Sequence, residues 1–224
     1  MKRTNQRRMM KHRSTIAIFS EWQRLARTES GFFRAPMREQ IEPRKLGRHL
    51  SDLFFLEAEK DDDLSFRLAG TRICTLFGRE LKNTRFLSLW SERDRAALGE
   101  LSENVNSLEV PALVSHVGIS MSGRSLDLEM FLAPLEAPDG QISLLGSIAV
   151  LDAVTWVGAD PIVLGHLNSI EPVAPDLILA NDVRKSAAIT VNAPRAGREW
   201  TNLRLTQPRE HAAPKLRVIK GGKA

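Results

Sequence analysis

Few of the ionisable and nucleophilic side chains in this chain are spaced to act together. The one cysteine, Cys74, excludes an internal disulfide framework and a thiolate zinc cluster. The histidines, His12, His49, His116, His166 and His211, are scattered, and neither HExxH nor GxSxG occurs. The carboxylates lie on polar faces, where solvation is the default, so a catalytic role is not expected. GISMSGRS (118–125) has the spacing GxxxxG followed by Arg and Ser. A phosphate-binding loop of that spacing runs from a strand into a helix, so that backbone amides face the phosphates. This stretch joins two strand-like segments, and Arg124 stands where the lysine belongs, so a hairpin turn is expected. In GRELKNTRFLSLW (78–90) the hydroxyl of Thr84 is a far weaker nucleophile than a thiolate. No metal site is expected.

Size and charge set further bounds. A length of 224 residues, 42% hydrophobic, fits one ordinary domain with extensions. No window approaches about eighteen consecutive apolar residues, so no membrane span is expected. The basic start, MKRTNQRRMMKHR, leads into the amphipathic STIAIFSEWQRLAR instead of the apolar core of a secretory signal. With one cysteine, a cytoplasmic location is expected. Residues 1–13 hold six Lys/Arg and no acid, and residues 197–224 hold seven Lys/Arg and two Glu. Of the net +5, these ends carry +6 and +5, which leaves −6 for the residues between them. Basic ends attract polyanions without sequence preference, so nucleic-acid binding is expected to be nonspecific at most.

The elements that must position these residues follow from hydrophobic period. Ile16, Phe19, Trp22 and Ala26 form one stripe of an amphipathic helix, with Ser14 as expected N-cap and the segment extending over 14–30. Pro43 suits the first turn of a short helix in IEPRKLGRHL. Residues 52–59 and 64–70 read as a hairpin around Asp61–Asp63. Residues 71–80, 83–90 and 91–108 have helical character, the last capped by Ser91. Residues 111–121, 125–135 and 141–152 read as strands. In the middle one, Leu126, Leu128, Met130 and Leu132 alternate with Ser125, Asp127, Glu129 and Phe131, which implies one face on a core. Six of the eleven prolines fall after residue 153, without sustained periodicity, so 153–224 reads as a mostly disordered tail. Its apolar patches at 162–164 and 177–179 are where it would cover the domain. The order of elements suits an α+β domain with a single antiparallel sheet.

That order and the run FRLAGTRICTLFGRELKNTRFLSLW (66–90) resemble an alphaproteobacterial family of small single-PAS-domain proteins, once filed as a domain of unknown function. EWQRLAR, MREQIEPRKLGRHLSDLFFLE, LDLEMFLAPL and LLGSIAVLD carry the likeness over about residues 14–152. The resemblance implies a five-stranded antiparallel sheet with helices on one face, in a sensing and protein-interaction module. The division it supports is a basic arm at 1–13, the helix at 14–30, a PAS-like domain at 31–152 and the tail. Asn83–Leu87 (NTRFL) is similar to a run in flavin-binding blue-light sensors of the superfamily. Those sensors have cysteine where this chain has Thr84, so no flavin adduct is expected. PAS heme sensors use an axial histidine, and none lies in 71–108.

The expectation is therefore a cytoplasmic, non-enzymatic regulatory module with no cofactor. It would act on a signalling protein such as a sensor kinase or regulator, as a homodimer joined through Ile16, Phe19 and Trp22. The alternative is a sensor for flavin, heme or a metabolite, with a pocket between 71–90 and the sheet. Its lining would be Phe66, Leu68, Ile73, Cys74, Phe77, Thr84, Phe86, Leu89, His116, Leu128 and Met130. Function cannot be taken from fold, so this pocket has to be judged on its geometry.

Overall fold

Alternating and continuous apolar segments make the strands, and 3.6-residue periods make the helices that cover them. The computed structural model describes residues 10–28, 33–58, 64–137 and 141–173. In chain order these give α1 (Arg13–Ala26), a 3₁₀ turn (Arg38–Gln40), α2 (Pro43–Leu46), a 3₁₀ turn (Gly47–Asp52), β1 (Leu53–Ala58) and β2 (Leu64–Ala69). There follow α3 (Thr71–Phe77), a 3₁₀ turn (Phe86–Leu89), α4 (Glu92–Leu108), β3 (Ala112–Ser120), β4 (Ser125–Leu135), β5 (Ser143–Val150) and β6 (Ile162–Pro172). The strands form one sheet in the order β2-β1-β5-β4-β3-β6, and every neighbouring pair is antiparallel. Pro43 opens α2 as its composition requires, and GISMSGRS makes the β3–β4 hairpin, with Gly123 at φ 84°.

The α+β class and the antiparallel sheet agree with the sequence, but the sheet has six strands instead of five. The extra strand comes from the stretch read as the start of a tail. β6 pairs along β3 from Ala112↔Pro172 to Ser120↔Ile162. Its composition hid it because Pro161 precedes it, Pro172 ends it and its alternation is imperfect. The contacts it needs are supplied by β3. Ile162, Leu167 and Val173 are buried. The expectation of disorder from residue 174 onward lies outside the described residues.

Helices cover both faces of this sheet, not one. On one face α3, the Phe86–Leu89 turn and α4 pack over Phe54, Phe66, Leu128, Met130, Leu132 and Ile148. On the other, Ile18, Phe19, Trp22 and Ala26 of α1 pack over Leu53, Phe55, Phe131, Ala133, Leu135 and Leu145. β4 is therefore buried on both sides from Leu128 on, where alternation had implied a single buried face. Phe19 and Trp22 are fully buried. The Trp22 indole donates to the Pro134 carbonyl at 2.8 Å, and Phe19 meets Phe131 edge-on at 5.7 Å. The stripe expected to join two copies thus closes the chain's own fold, because β4 and β5 present an apolar face that needs cover. Only Ile16 of the three is partly accessible.

The start of α1 is fixed by buried polar groups. The N-cap is His12, whose side chain accepts from the Ser14 amide at 3.2 Å. The expected cap, Ser14, instead donates from Oγ to Asp52 at 2.5 Å and lies 2.9 Å from His49 Nδ1. That hydroxyl has one proton, directed at Asp52, so His49 Nδ1 is the donor of the second bond. Arg72 completes the group by pairing with Asp52. Glu129, buried on the α1 face, accepts from the amides of Lys11 and His12 at 2.8 and 3.0 Å. The helix ends at Ala26, with Arg27 as its extended C-cap, short of residue 30.

Two outcomes follow. Truncation after Asp160 removes β6, and three buried apolar side chains at about 1.5–3 kcal/mol each imply a melting temperature lower by about 10 °C or more. Truncation after Ala174 should leave the melt within about 2 °C. Replacing Phe19 and Trp22 with Asp places charges inside the core, so circular dichroism should show an unfolded chain instead of a folded monomer.

Candidate functional site

The stretch that raised the question of flavin chemistry has a backbone task. α3 ends at Gly78, whose left-handed conformation (φ 63°) lets Arg79 N–H reach the Cys74 carbonyl at 3.1 Å. Asn83, also left-handed (φ 61°), then turns the chain along the outer edge of β2. The Asn83 amide donates to the Phe66 carbonyl at 2.8 Å, and the Phe66 amide donates to the Thr84 carbonyl at 3.0 Å. These bonds cover an otherwise open strand edge. Only Phe86–Leu89 winds, as a 3₁₀ turn, so the helix expected over 83–90 is absent. A helix there would remove the two backbone bonds to β2.

Phe86, Leu89 and Trp90 drop from that turn onto the sheet. A line of rings crosses the core from β1 to β3: Phe54, Phe66, Phe86, Trp90 and His116, with successive centroids 5.3, 6.0, 5.9 and 4.8 Å apart. The first three contacts are edge-on, the arrangement favoured by aromatic quadrupoles. Trp90 lies against Gly165. Gly118 and Gly165 are partners across β3 and β6, and a Cβ at Gly165 would stand 2.8 Å from the Trp90 ring. Between these groups is a cavity of about 10 Å³, lined by Phe77, Phe86, Leu89, Trp90, His116, Gly118, Leu128, Ile148, Ile162 and Gly165. That is room for about one water.

Of the side chains read from sequence as a pocket, Phe77, Phe86, Leu89, His116 and Leu128 line this cavity. Phe66, Ile73 and Met130 lie in the same buried cluster but not at the cavity wall. Leu68 is 43% exposed. It follows a register shift in the β1–β2 pairing, which breaks the inward alternation. Cys74 and Thr84 are partly accessible and stand outside the lining. The Cys74 thiol points to the Ala69 carbonyl and Glu80, and burial followed by Glu80 pushes its pKa up, away from thiolate chemistry. Sequence reading missed Trp90, Gly118, Ile148, Ile162 and Gly165 as lining. Glycine inside strand-like stretches was the available signal for close approach.

Two polar atoms in this core, Trp90 Nε1 and His116 Nδ1, are buried without a hydrogen-bond partner among the described residues. Burial lowers the His116 pKa to about 3, so the imidazole is neutral at ordinary pH. No group of three or more His, Cys, Asp or Glu side chains among the described residues could hold a metal ion. A neutral imidazole nitrogen could ligate a heme iron, but neither a macrocycle nor a flavin ring fits about 10 Å³, where ligand pockets typically offer about 300–1,000 Å³.

Beside the cavity, Asp94 ties α4 to the open edge of β6. It accepts from Ser91 Oγ at 2.5 Å and from the Leu167 amide at 3.1 Å, with His166 Nδ1 at 3.6 Å. The Ser91 amide donates to the Gly165 carbonyl at 3.0 Å. Burial pushes the Asp94 carboxyl up, but the bonds from Ser91 and Leu167, with Arg93 and His166, outweigh it and hold the pKa below its usual value. Ser91 heads α4 as expected, although its hydroxyl serves Asp94 and caps no amide.

The His116 environment predicts an acid sensitivity. Its folded pKa of about 3 lies below the unfolded value of 6.5, so only the unfolded chain takes up the proton between them. Stability is full above pH 6.5 and falls toward pH 3, at about 1.4 kcal/mol per unit. Urea melts from pH 7 to 4 should show this decline, and His116→Phe should flatten it. Asp94 acts in a lower window, because its depressed pKa stabilises the fold above the ordinary carboxylate range and that contribution is lost as pH falls through it.

Among solved structures, the chain is similar to the dark structure of the blue-light photoreceptor Aureochrome1 LOV, at 16% identity and TM-score 0.37, over 46% of this chain and 77% of that one. It is also similar to Drosophila melanogaster Cycle PAS-B with bound glycerol, at 15% identity and TM-score 0.37, over 45% and 99%. A third is the Rhodobacter sphaeroides LOV protein, at 20% identity and TM-score 0.36, over 46% and 60%. No curated protein matches. A family model described as a PAS domain matches residues 10–149, which span α1, β1 to β4 and all but the last residue of β5. The chain belongs to the PAS-domain family.

Proposed function

We propose that this protein is a PAS sensory and regulatory module that works by binding another signalling protein, such as a sensor kinase or regulator. In this reading it is cytoplasmic, acts as a homodimer and has no catalytic output of its own. The observation that carries it is the filled core. The ring series from Phe54 to His116 occupies the space between helices and sheet and leaves about 10 Å³. What remains for recognition is the surface. No described helix is long and apolar enough to cross a membrane. With Phe19 and Trp22 buried, a homodimer has to use other residues.

A second reading, a metabolite sensor, is favoured by the unpartnered Trp90 Nε1 and His116 Nδ1. Such a ligand would be polar and no larger than a few atoms unless Trp90 moved.

Purified protein should be colourless, and native mass spectrometry should find no bound organic ligand. A flavin or heme absorption band would overturn the first reading in favour of a cofactor sensor. Reconstitution with purified sensor kinases from the native cell should change the phosphorylation rate of at least one of them, and light scattering should give twice the monomer mass.

A further inference from the structure

Buried polar atoms are ordinarily hydrogen-bonded, and two ring nitrogens at the contact between Trp90 and His116 depart from that rule. Both residues are 2% exposed. Their rings are 4.8 Å apart and inclined at 57°, and both line the cavity of about 10 Å³. Trp90 Nε1 and His116 Nδ1 are buried there without a partner among the described residues. The other lining residues are apolar side chains and two glycines. Trp22 shows the ordinary arrangement, since its buried indole donates to the Pro134 carbonyl at 2.8 Å. Trp90 is not free to turn toward such an acceptor. Its amide donates to the Leu87 carbonyl at 3.3 Å, its carbonyl accepts from Arg95 Nε at 3.2 Å, and the next amide, of Ser91, donates to the Gly165 carbonyl at 3.0 Å. The ring itself is seated against Gly165.

We infer that this cavity is the binding site of one water molecule, which joins Trp90 Nε1 to His116 Nδ1 and so ties the turn before α4 to β3. The volume admits one water. The indole N–H can only donate, so the occupant has to accept from it. Imidazole Nδ1 donates or accepts according to tautomer, and water meets either case. A wholly apolar cavity of this kind stays dry, whereas two polar partners are enough to hold a buried water. An apolar guest would leave both nitrogens unpaired, at a cost in free energy. An ion would find no charged side chain on the wall, because His116 is neutral at ordinary pH. A polar organic molecule of several atoms would have to displace Trp90 from Gly165. The same two nitrogens favour the metabolite reading, but water satisfies both without that movement. The inference holds whichever partner the module binds.

The test is magnetic resonance of the isotope-labelled full chain, read as dipolar cross-relaxation between each indole N–H and water, with the Trp90 signal assigned by its loss in Trp90→Phe. The Trp90 indole proton should show a cross-peak to water with the sign of a long-lived bound molecule. The Trp22 indole, already paired with a carbonyl, should show none. His116→Phe keeps a ring of similar size and removes the second nitrogen, so the Trp90 cross-peak should be lost. A crystal structure should place one water within about 3.2 Å of both nitrogens. The inference is overturned by an absent Trp90 cross-peak, by an equal one at Trp22, by its persistence in folded His116→Phe, or by a crystal structure with an organic molecule or no water between the two nitrogens. If His116→Phe does not fold, the wild-type cross-peaks and the crystal structure decide.

Discussion

Both faces of the central strands are apolar, and the rest of the structure depends on covering them. Along β4, Leu128, Met130 and Leu132 point to one side while Phe131, Ala133 and Leu135 point to the other. A sheet with one wet face would need only the helices between β2 and β3. This one also needs α1, which is why the amphipathic helix outside the strand region is fully docked. At about 1.5–3 kcal/mol for each buried large apolar side chain, Ile18, Phe19 and Trp22 contribute several kcal/mol to a fold that is only marginally stable in total.

Buried carboxylates mark the places where this layering meets exposed backbone. Glu129 satisfies two amides where the chain enters α1, and negative charge is favoured there by the helix dipole. Asp94 satisfies an amide on the outer edge of β6, which would otherwise present a free strand edge. Asp52 holds Ser14 and Arg72, linking α1 and α3 to the turn before β1. Each carboxylate joins elements distant in sequence.

Residues 83–90 follow the same logic. NTRFL covers the edge of β2 with backbone and fills the core with Phe86, and Trp90 follows onto Gly165. Thr84 is partly accessible, and its carbonyl is used in the β2 edge.

Periodicity by itself determined α1, α4, β1 to β5, the hairpin at Gly123 and the α+β class, because those features depend on spacing within one segment. Phe77, Phe86, Leu89, His116 and Leu128 of the pocket expected from the PAS resemblance do line one cavity. What tertiary structure alone decided depends on partners far along the chain. β6 is a strand because β3 offers an unpaired edge, although its own prolines and weak alternation argued against it. Phe19 and Trp22 close the fold because β4 and β5 have a second apolar face, and a helical stripe does not say what it packs against. Glu129 looked like the solvent side of a strand and is buried because α1 begins above it. Leu68 looked inward by alternation and is exposed because a register shift in the β1–β2 ladder breaks the period. In each case the local pattern defines a face, and only long-range packing determines what covers it.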